Sequence, residues 1–263
     1  MKESFIAKKF SEGSLITIGT VNAILTEYEK QGFRLSLRQL YYQLVARDYI
    51  PNSQRSYKNL GNLVSNARQA GLVDWTMIED RGRETVLPSH WQNPAHIVRA
   101  AAQSFRIDKW IDQPYHIEVL VEKDALSGVL EPTCNELDVG LTANKGYSSS
   151  STMYEIGKRL AANREKGKEI LVLYLGDHDP SGIDMTRDVD ERLNMYSRLW
   201  GGVEIQRLAL NYDQIELWKP PENPAKETDA RYASYVENFG ENSWELDAVE
   251  PVTLAQLVTD AIL

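Results

Sequence analysis

A helical N-terminal unit followed by an α/β unit with a largely parallel sheet is the fold that this 263-residue chain predicts. Three observations predict it. Apolar residues recur at helical spacing up to about residue 70. From about residue 115, short apolar runs alternate with helical stretches, as in parallel α/β sheets. Charge divides along the same line: residues 1–110 hold 15 Lys and Arg against 10 Asp and Glu, a balance of +5, and the remainder holds 14 against 28, a balance of −14. A basic front and an acidic back predict different tasks for the two parts.

In order along the chain, Ile16, Val21, Ile24 and Leu25 predict a helix over 14–31. A second helix starts at Ser36, whose hydroxyl can cap the first turn while Gln39 reaches back, a capping box. Its buried stripe is Leu37, Leu40, Tyr41, Leu44 and Val45. After a turn at Pro51-Asn52-Ser53, a third helix over 55–70 buries Leu60, Leu63, Val64 and Ala67 and offers Arg55, Lys58 and Arg68 on its polar face. Gly71 closes it, and Trp75 to Arg83 reads as a wing or strand. Three short helices and a β excursion are the outline of a winged helix, whose third helix enters a DNA groove. The boundary falls near Asp112-Gln113-Pro114, giving units 1–112 and 113–263. Beyond it, strands are expected at 116–121, 139–143, 170–175 and 203–210. Helices are expected at 124–137, 151–165 and 180–196, with a terminal helix from Thr253 to Leu263.

Composition narrows the setting. No apolar run approaches the roughly 20 residues of a membrane helix. No secretory leader is evident after Met1-Lys2-Glu3-Ser4, and the single cysteine, Cys134, can neither form an internal disulfide nor build a thiolate zinc site alone. A reducing cytoplasm is expected, with no membrane partner. A glycine-rich phosphate loop ending in Lys-Ser or Lys-Thr is absent from the sequence, so ATP use is not expected of this chain.

Three acids fall where chemistry is expected. Glu122 follows one predicted strand, and Asp177 and Asp179 follow another. In open parallel sheets the carboxyl ends of the strands face the ligand crevice. Carboxylates gathered there repel one another unless a cation intervenes, and oxygen-only ligands suit Mg²⁺ or Mn²⁺. Asp179 can also simply cap a helix opening at Pro180, and Glu122 can pair with Lys123.

Val121-Glu122-Lys123-Asp124-Ala125 and Gly176-Asp177-His178-Asp179-Pro180-Ser181-Gly182-Ile183 resemble the glutamate and Asp-x-Asp motifs of a Toprim domain. More narrowly, they resemble those of the topoisomerase VI A subunit and the related meiotic double-strand-break protein. Asn144-Lys145-Gly146-Tyr147-Ser148 sits in the place of that family's glycine loop. Leu37-Arg38-Gln39-Leu40-Tyr41-Tyr42 is similar to its tyrosine motif, with Tyr42 in the nucleophile's position. Gln39 stands where the family has an acid, and Ser148 where its loop often has proline.

The resemblance implies a winged helix followed by a Toprim, Rossmann-like domain, and covers most of the chain. It implies Mg²⁺-dependent cleavage of double-stranded DNA by transesterification: Tyr42 attacks phosphorus, expels a 3′-hydroxyl and stays joined to the 5′-phosphate. It further implies Glu122, Asp177 and Asp179 as metal ligands and a homodimer pairing the tyrosine of one subunit with the acids of the other. A separate ATPase subunit is a possible partner, and the nearest fit is a compact stand-alone bacterial or phage-type relative, associated with the nucleoid in the cytoplasm. Arg55, Lys58, Arg68, Arg81, Arg83, Lys123 and Lys145 would contact DNA.

Helical spacing separately favours Tyr42 over Tyr41. Tyr41 lies within the apolar stripe, whereas Tyr42 points away from it, one turn after Arg38. A phenol titrates near pH 10 when unperturbed, and the guanidinium is expected to favour its ionised form. Two other readings stand beside cleavage by tyrosine: a Toprim-type nuclease that activates water, and a non-catalytic DNA-binding regulator.

Overall fold

The computed structural model describes residues 2–79, 90–144, 146 and 148–263. Helix α1 (Glu12–Lys30) is capped by Ser11. The predicted capping box at Ser36 is formed in both directions with Gln39 and opens α2 (Leu37–Ala46). Helix α3 (Gln54–Gln69) follows from its cap at Ser53. These helices enclose Ile18, Val21, Leu25, Leu40, Leu44, Leu60 and Val64 in one core, and Ala248, from far along the chain, joins it.

Of the expected β excursion over Trp75 to Arg83, the described residues hold one short strand. Strand β1 (Leu35–Ser36) pairs with β2 (Ile78–Glu79) in parallel over two residues, and residues 80–89 lie outside the described set. Helix α4 (Pro94–Ser104) carries no buried residue.

The second part is a parallel sheet covered on both faces. It consists of β3 (Tyr115–Val121), β4 (Gly140–Ala143), β5 (Glu169–Leu175) and β6 (Val203–Ala209), in the order β4-β3-β5-β6. Register is unbroken along β3 and β5, from Tyr115 opposite Glu169 to Val121 opposite Leu175. Side chains alternate across a strand, so Val119, Val121, Leu173 and Leu175 pack one way, against α5 (Ser127–Leu137) and α10 (Pro251–Ile262). Leu120, Val172 and Tyr174 pack the other way, against α6 (Ser150–Glu165) and α7 (Pro180–Ser197). Burial on both faces explains why these strands read as continuous apolar runs. No helix among the described residues is long and apolar enough to cross a membrane.

The segment 211–249 was not resolved into elements by sequence pattern. It forms α8 (Tyr212–Trp218), the hairpin of β7 (Glu222–Pro224) and β8 (Asn242–Trp244), and α9 (Tyr232–Phe239) between those strands. A 3₁₀ turn over Leu246–Ala248 then packs on α2. This segment brings the helical unit against the carboxyl ends of the sheet strands.

Candidate active site

Parallel strands β3 and β5 are in register, so their ends are neighbours and Glu122 and Asp177 are delivered side by side. The Glu122 amide donates to Leu175 O at 2.8 Å, and Glu122 Oε2 accepts from the Asp177 amide at 2.9 Å. Gly176 permits this approach: a Cβ there would lie 2.8 Å from Glu122 Oε2. The Asn144 and Gly146 amides donate to Val121 O and Glu122 O. That sets Asn144 and Gly146 beside Glu122, while Lys145 lies outside the described residues.

Asp177 is buried. Its Oδ1 accepts from the Leu246 amide at 2.8 Å, and its Oδ2 is 2.7 Å from Lys123 Nζ. Asp179 does what its alternative reading expected: it caps α7, accepting from the Gly182 amide at 2.6 Å and from Ser181 Oγ at 2.8 Å. Among the described residues, no three His, Cys, Asp or Glu side chains are grouped so that they could hold a metal ion. The local reasons are the Lys123 ammonium beside Asp177 and the capping geometry of Asp179.

Chemistry and charge still suit a hard cation. The donors are all oxygens. Burial pushes the Asp177 carboxyl up to about 7, with Glu122 and Glu245 adding repulsion against the pull of Lys123. Burial also raises Glu122, and Asp179 adds to it. Carboxylates whose ionised form is disfavoured are those that added positive charge would relieve.

Several organising residues were not singled out from sequence. Arg207 on β6 is half-buried and donates to Asp177 O at 2.6 Å, Gly182 O at 3.0 Å and Thr186 Oγ1 at 2.6 Å, tying the acidic loop to the start of α7. His178 is an aromatic-packed anchor: Phe239, Tyr235, Trp244 and Tyr212 surround its ring, and its Nδ1 is 2.8 Å from Tyr235 Oη. Burial, with Arg207 nearby, lowers its pKa to about 4, so it stays neutral. Asn223, Glu245 and Asp247 lie in a segment of short elements and turns, 211–249, whose sequence carries no extended periodicity.

Tyr42 requires a correction. It does not point away from the core; Tyr41 and Tyr42 are both buried, at 4% and 3% exposure, with rings 5.2 Å apart. The physical reason is that the 3₁₀ turn over Leu246–Ala248 and the β7–β8 hairpin cover α2 on the side that sequence left open to solvent. Tyr41 is fixed by Asn52 Oδ1 and the Ser53 amide, both at 2.8 Å. Tyr42 Oη accepts from Asn223 Nδ2 at 3.2 Å, and the Arg38 guanidinium stands 5.8 Å from its ring centre. Arg38 does favour the ionised phenol, as expected. Burial and the Glu245 carboxylate outweigh it, and the Tyr42 pKa is raised.

Arg38 and Lys123 share acids. Arg38 pairs with Glu245 and lies 3.2 Å from Asp247 Oδ2, while Lys123 contacts Glu245, Asp177 and Asp247. One network therefore runs from beneath Tyr42 to Asp177. A cleft of about 770 Å³ opens above it, lined by Arg38, Tyr42, Lys58, Asp179, Asn223, Lys226 and Glu245. Tyr42 and Asp179 of the same chain thus line one cleft.

Of the remaining basic candidates, Arg55 and Lys58 are exposed on α3. Arg68 instead donates to Trp75 O at 3.0 Å and Ile78 O at 2.8 Å and stacks over Trp75, holding the segment after α3. Arg81 and Arg83 lie outside the described residues. No family model matches the chain, and no curated protein matches it.

Gly182 gives a direct test of the site's frame. A Cβ there would lie 2.3 Å from Asp177 O, which is backbone and cannot swing aside. Gly182→Ala is expected to destabilise the chain by ~1–3 kcal/mol, the usual range for overpacking. Urea denaturation measures it, and an unchanged midpoint would show that the loop yields freely.

Proposed function

We propose that this protein cleaves DNA strands in a divalent-cation-dependent reaction, with Tyr42 as nucleophile, through a winged-helix and Toprim arrangement like that of the topoisomerase VI A subunit. One observation carries the reading: two groups nominated separately from sequence, the Arg38–Tyr42 pair and the acid Asp177, are joined by one charge network through Glu245 and Lys123, beside a cleft that Tyr42 and Asp179 line. Further support comes from the parallel sheet with acids at its strand ends, and from a third helix that presents Arg55 and Lys58 to solvent.

In this reading the Tyr42 phenol gives up its proton, which the 3′-oxygen takes up in exchange, and its oxygen forms a bond to a backbone phosphorus. The bond to the 3′-oxygen breaks, and that oxygen leaves with a proton as a 3′-hydroxyl. The phosphodiester is exchanged for a phosphotyrosyl ester, so religation needs no nucleotide. Glu122, Asp177 and Asp179 would hold Mg²⁺ or Mn²⁺, which when bound supplies positive charge against the phosphoryl oxygens. Arg38 holds a phosphate oxygen and offsets charge on the phenolate. Asn223 fixes the phenol's direction, and Lys58 and Lys226 line the approach. A homodimer would present one cleft to each strand of the duplex.

The raised pKa of Tyr42 favours a second reading, in which the same acids serve a hydrolytic nuclease with water as nucleophile. Incubation with duplex DNA and Mg²⁺, followed by denaturation and nuclease digestion, separates them. DNA retained on the protein supports transesterification. Cleavage that survives Tyr42→Phe but is lost in Asp177→Ala supports hydrolysis, and no cleavage with any divalent cation leaves a DNA-binding regulator.

Binding itself has a separate expectation. Arg55→Ala with Lys58→Ala is expected to weaken DNA binding without regard to sequence, and to reduce the salt slope by about 0.9 per lost phosphate contact. Fluorescence anisotropy across a salt series measures it; an unchanged slope would remove α3 from the interface.

A further inference from the structure

Tyr42 is recessed, at 3% exposure, on the floor of a cleft of about 770 Å³. That recess limits what can reach the phenol. The space falls in the range of ~300–1,000 Å³ that takes small ligands, room for a nucleotide rather than for two paired strands. Intact duplex is also stiff, with a persistence length of about 50 nm, and does not fold its backbone into a recess of this scale. The wall formed by α3 carries what an unpaired strand needs. Gln54, Tyr57 and Lys58 share one helix face, at i, i+3 and i+4, and all three line the cleft. The half-buried Tyr57 ring is held edge-to-face by Tyr41, with ring centres 5.3 Å apart, and Tyr41 is itself anchored on Asn52. Across the cleft, just after β7, stands the exposed Lys226. The two carboxylates that line the cleft are already engaged, Glu245 by Arg38 and Lys123 and Asp179 by the start of α7.

We propose that this cleft binds one unpaired DNA strand, with a base packed on the Tyr57 ring, its edge at Gln54, and the flanking phosphates between Lys58 and Lys226. The substrate is single-stranded or locally opened DNA, and intact duplex is admitted only where its strands part. Stacking on an aromatic ring tolerates every base, because each has a π-face, so the cleft selects strand state rather than sequence. A rigid, pre-positioned ring also loses little freedom on binding, which favours its use as a platform. The inference rests on the cleavage reading in taking DNA as the ligand. It needs neither a metal nor a covalent step, so it is tested without either.

The full chain is titrated in EDTA with fluorescent oligonucleotides of one sequence, presented as single strand, intact duplex and duplex with a central mismatched stretch. Anisotropy reads affinity with no cleavage. The single strand and the opened duplex are expected to bind about ten-fold more tightly than intact duplex, the scale of one stacked base. Tyr57→Ala is expected to erase that preference by weakening single-strand binding about ten-fold while leaving duplex binding unchanged. Tyr57→Phe is expected to behave as the wild type, because the ring and not the hydroxyl carries the stacking. Equal affinity for single strand and intact duplex overturns the proposal, as does a preference that persists in Tyr57→Ala. Both results leave the cleavage reading standing, since duplex is still bound. Binding of no DNA in any form overturns both. A single-strand preference without cutting in Mg²⁺ supports this proposal and counts against cleavage alone. Should Tyr57→Ala be recovered unfolded, Gln54→Ala, at an exposed helix position, decides: unchanged single-strand affinity there overturns the proposal.

Discussion

Tyr42→Phe is expected to lower covalent DNA–protein adduct by at least ~10³-fold, because phenylalanine has no oxygen to bond to phosphorus. The fold should survive. The ring stays in the α2 core, and one hydrogen bond, from Asn223, is lost at a cost of ~0.5–1.5 kcal/mol. Adduct is read as labelled DNA that remains with the protein after denaturation, and stability by urea titration of the same sample. Adduct at wild-type level would exclude Tyr42 as the attachment point and turn attention to the other cleft phenols, Tyr41 and Tyr57.

The second large effect is a pH dependence set by Asp177. Burial raises its carboxyl to about 7 in the folded chain, above the ordinary aspartate value near 3.8. Between those values the folded state holds more proton than the unfolded state, so stability falls as pH rises. The contribution is fully present below about pH 4 and is gone above about pH 7. The loss is on the order of a few kcal/mol. Asp177→Asn cannot titrate, so its stability relative to wild type should rise over this window. Chemical denaturation of both proteins at pH steps from 4.5 to 7.5 measures it. A difference that stays flat with pH would mean that Asp177 is ionised throughout, held so by Lys123. Mn²⁺ is expected to shrink the slope by favouring the charged carboxylates.

The α/β plan was legible because its signals are local. The Ser36–Gln39 capping box, the apolar runs of β3 and β5 and the Pro180 helix start each act within a few residues, and each appears close to where it was expected. The pairing of Glu122 with Asp177 was legible too, since parallel strands in register place the residues after them together. Tyr42's burial was not legible. Helical periodicity reports which face of α2 is apolar, and Tyr42 is covered by a 3₁₀ turn from two hundred residues further along. The partners of Arg68 were not legible for a similar reason: it lies half-buried on the polar face of α3, and two carbonyls of the following segment accept from its guanidinium.

By itself, the sequence determined the succession of strands and helices along the α/β part of the chain, the placement of three acids at strand ends, and the Arg38–Tyr42 spacing of one helical turn. Tertiary structure alone decided what surrounds them. It sets Lys123 and Arg38 against Glu245 and Asp247, buries Tyr42 under Asn223, and gives the helical unit and the sheet a common cleft. The division follows from range. Hydrogen-bonded periodicity and capping are decided by neighbours in the chain, whereas burial and charge compensation depend on residues that only folding brings into contact.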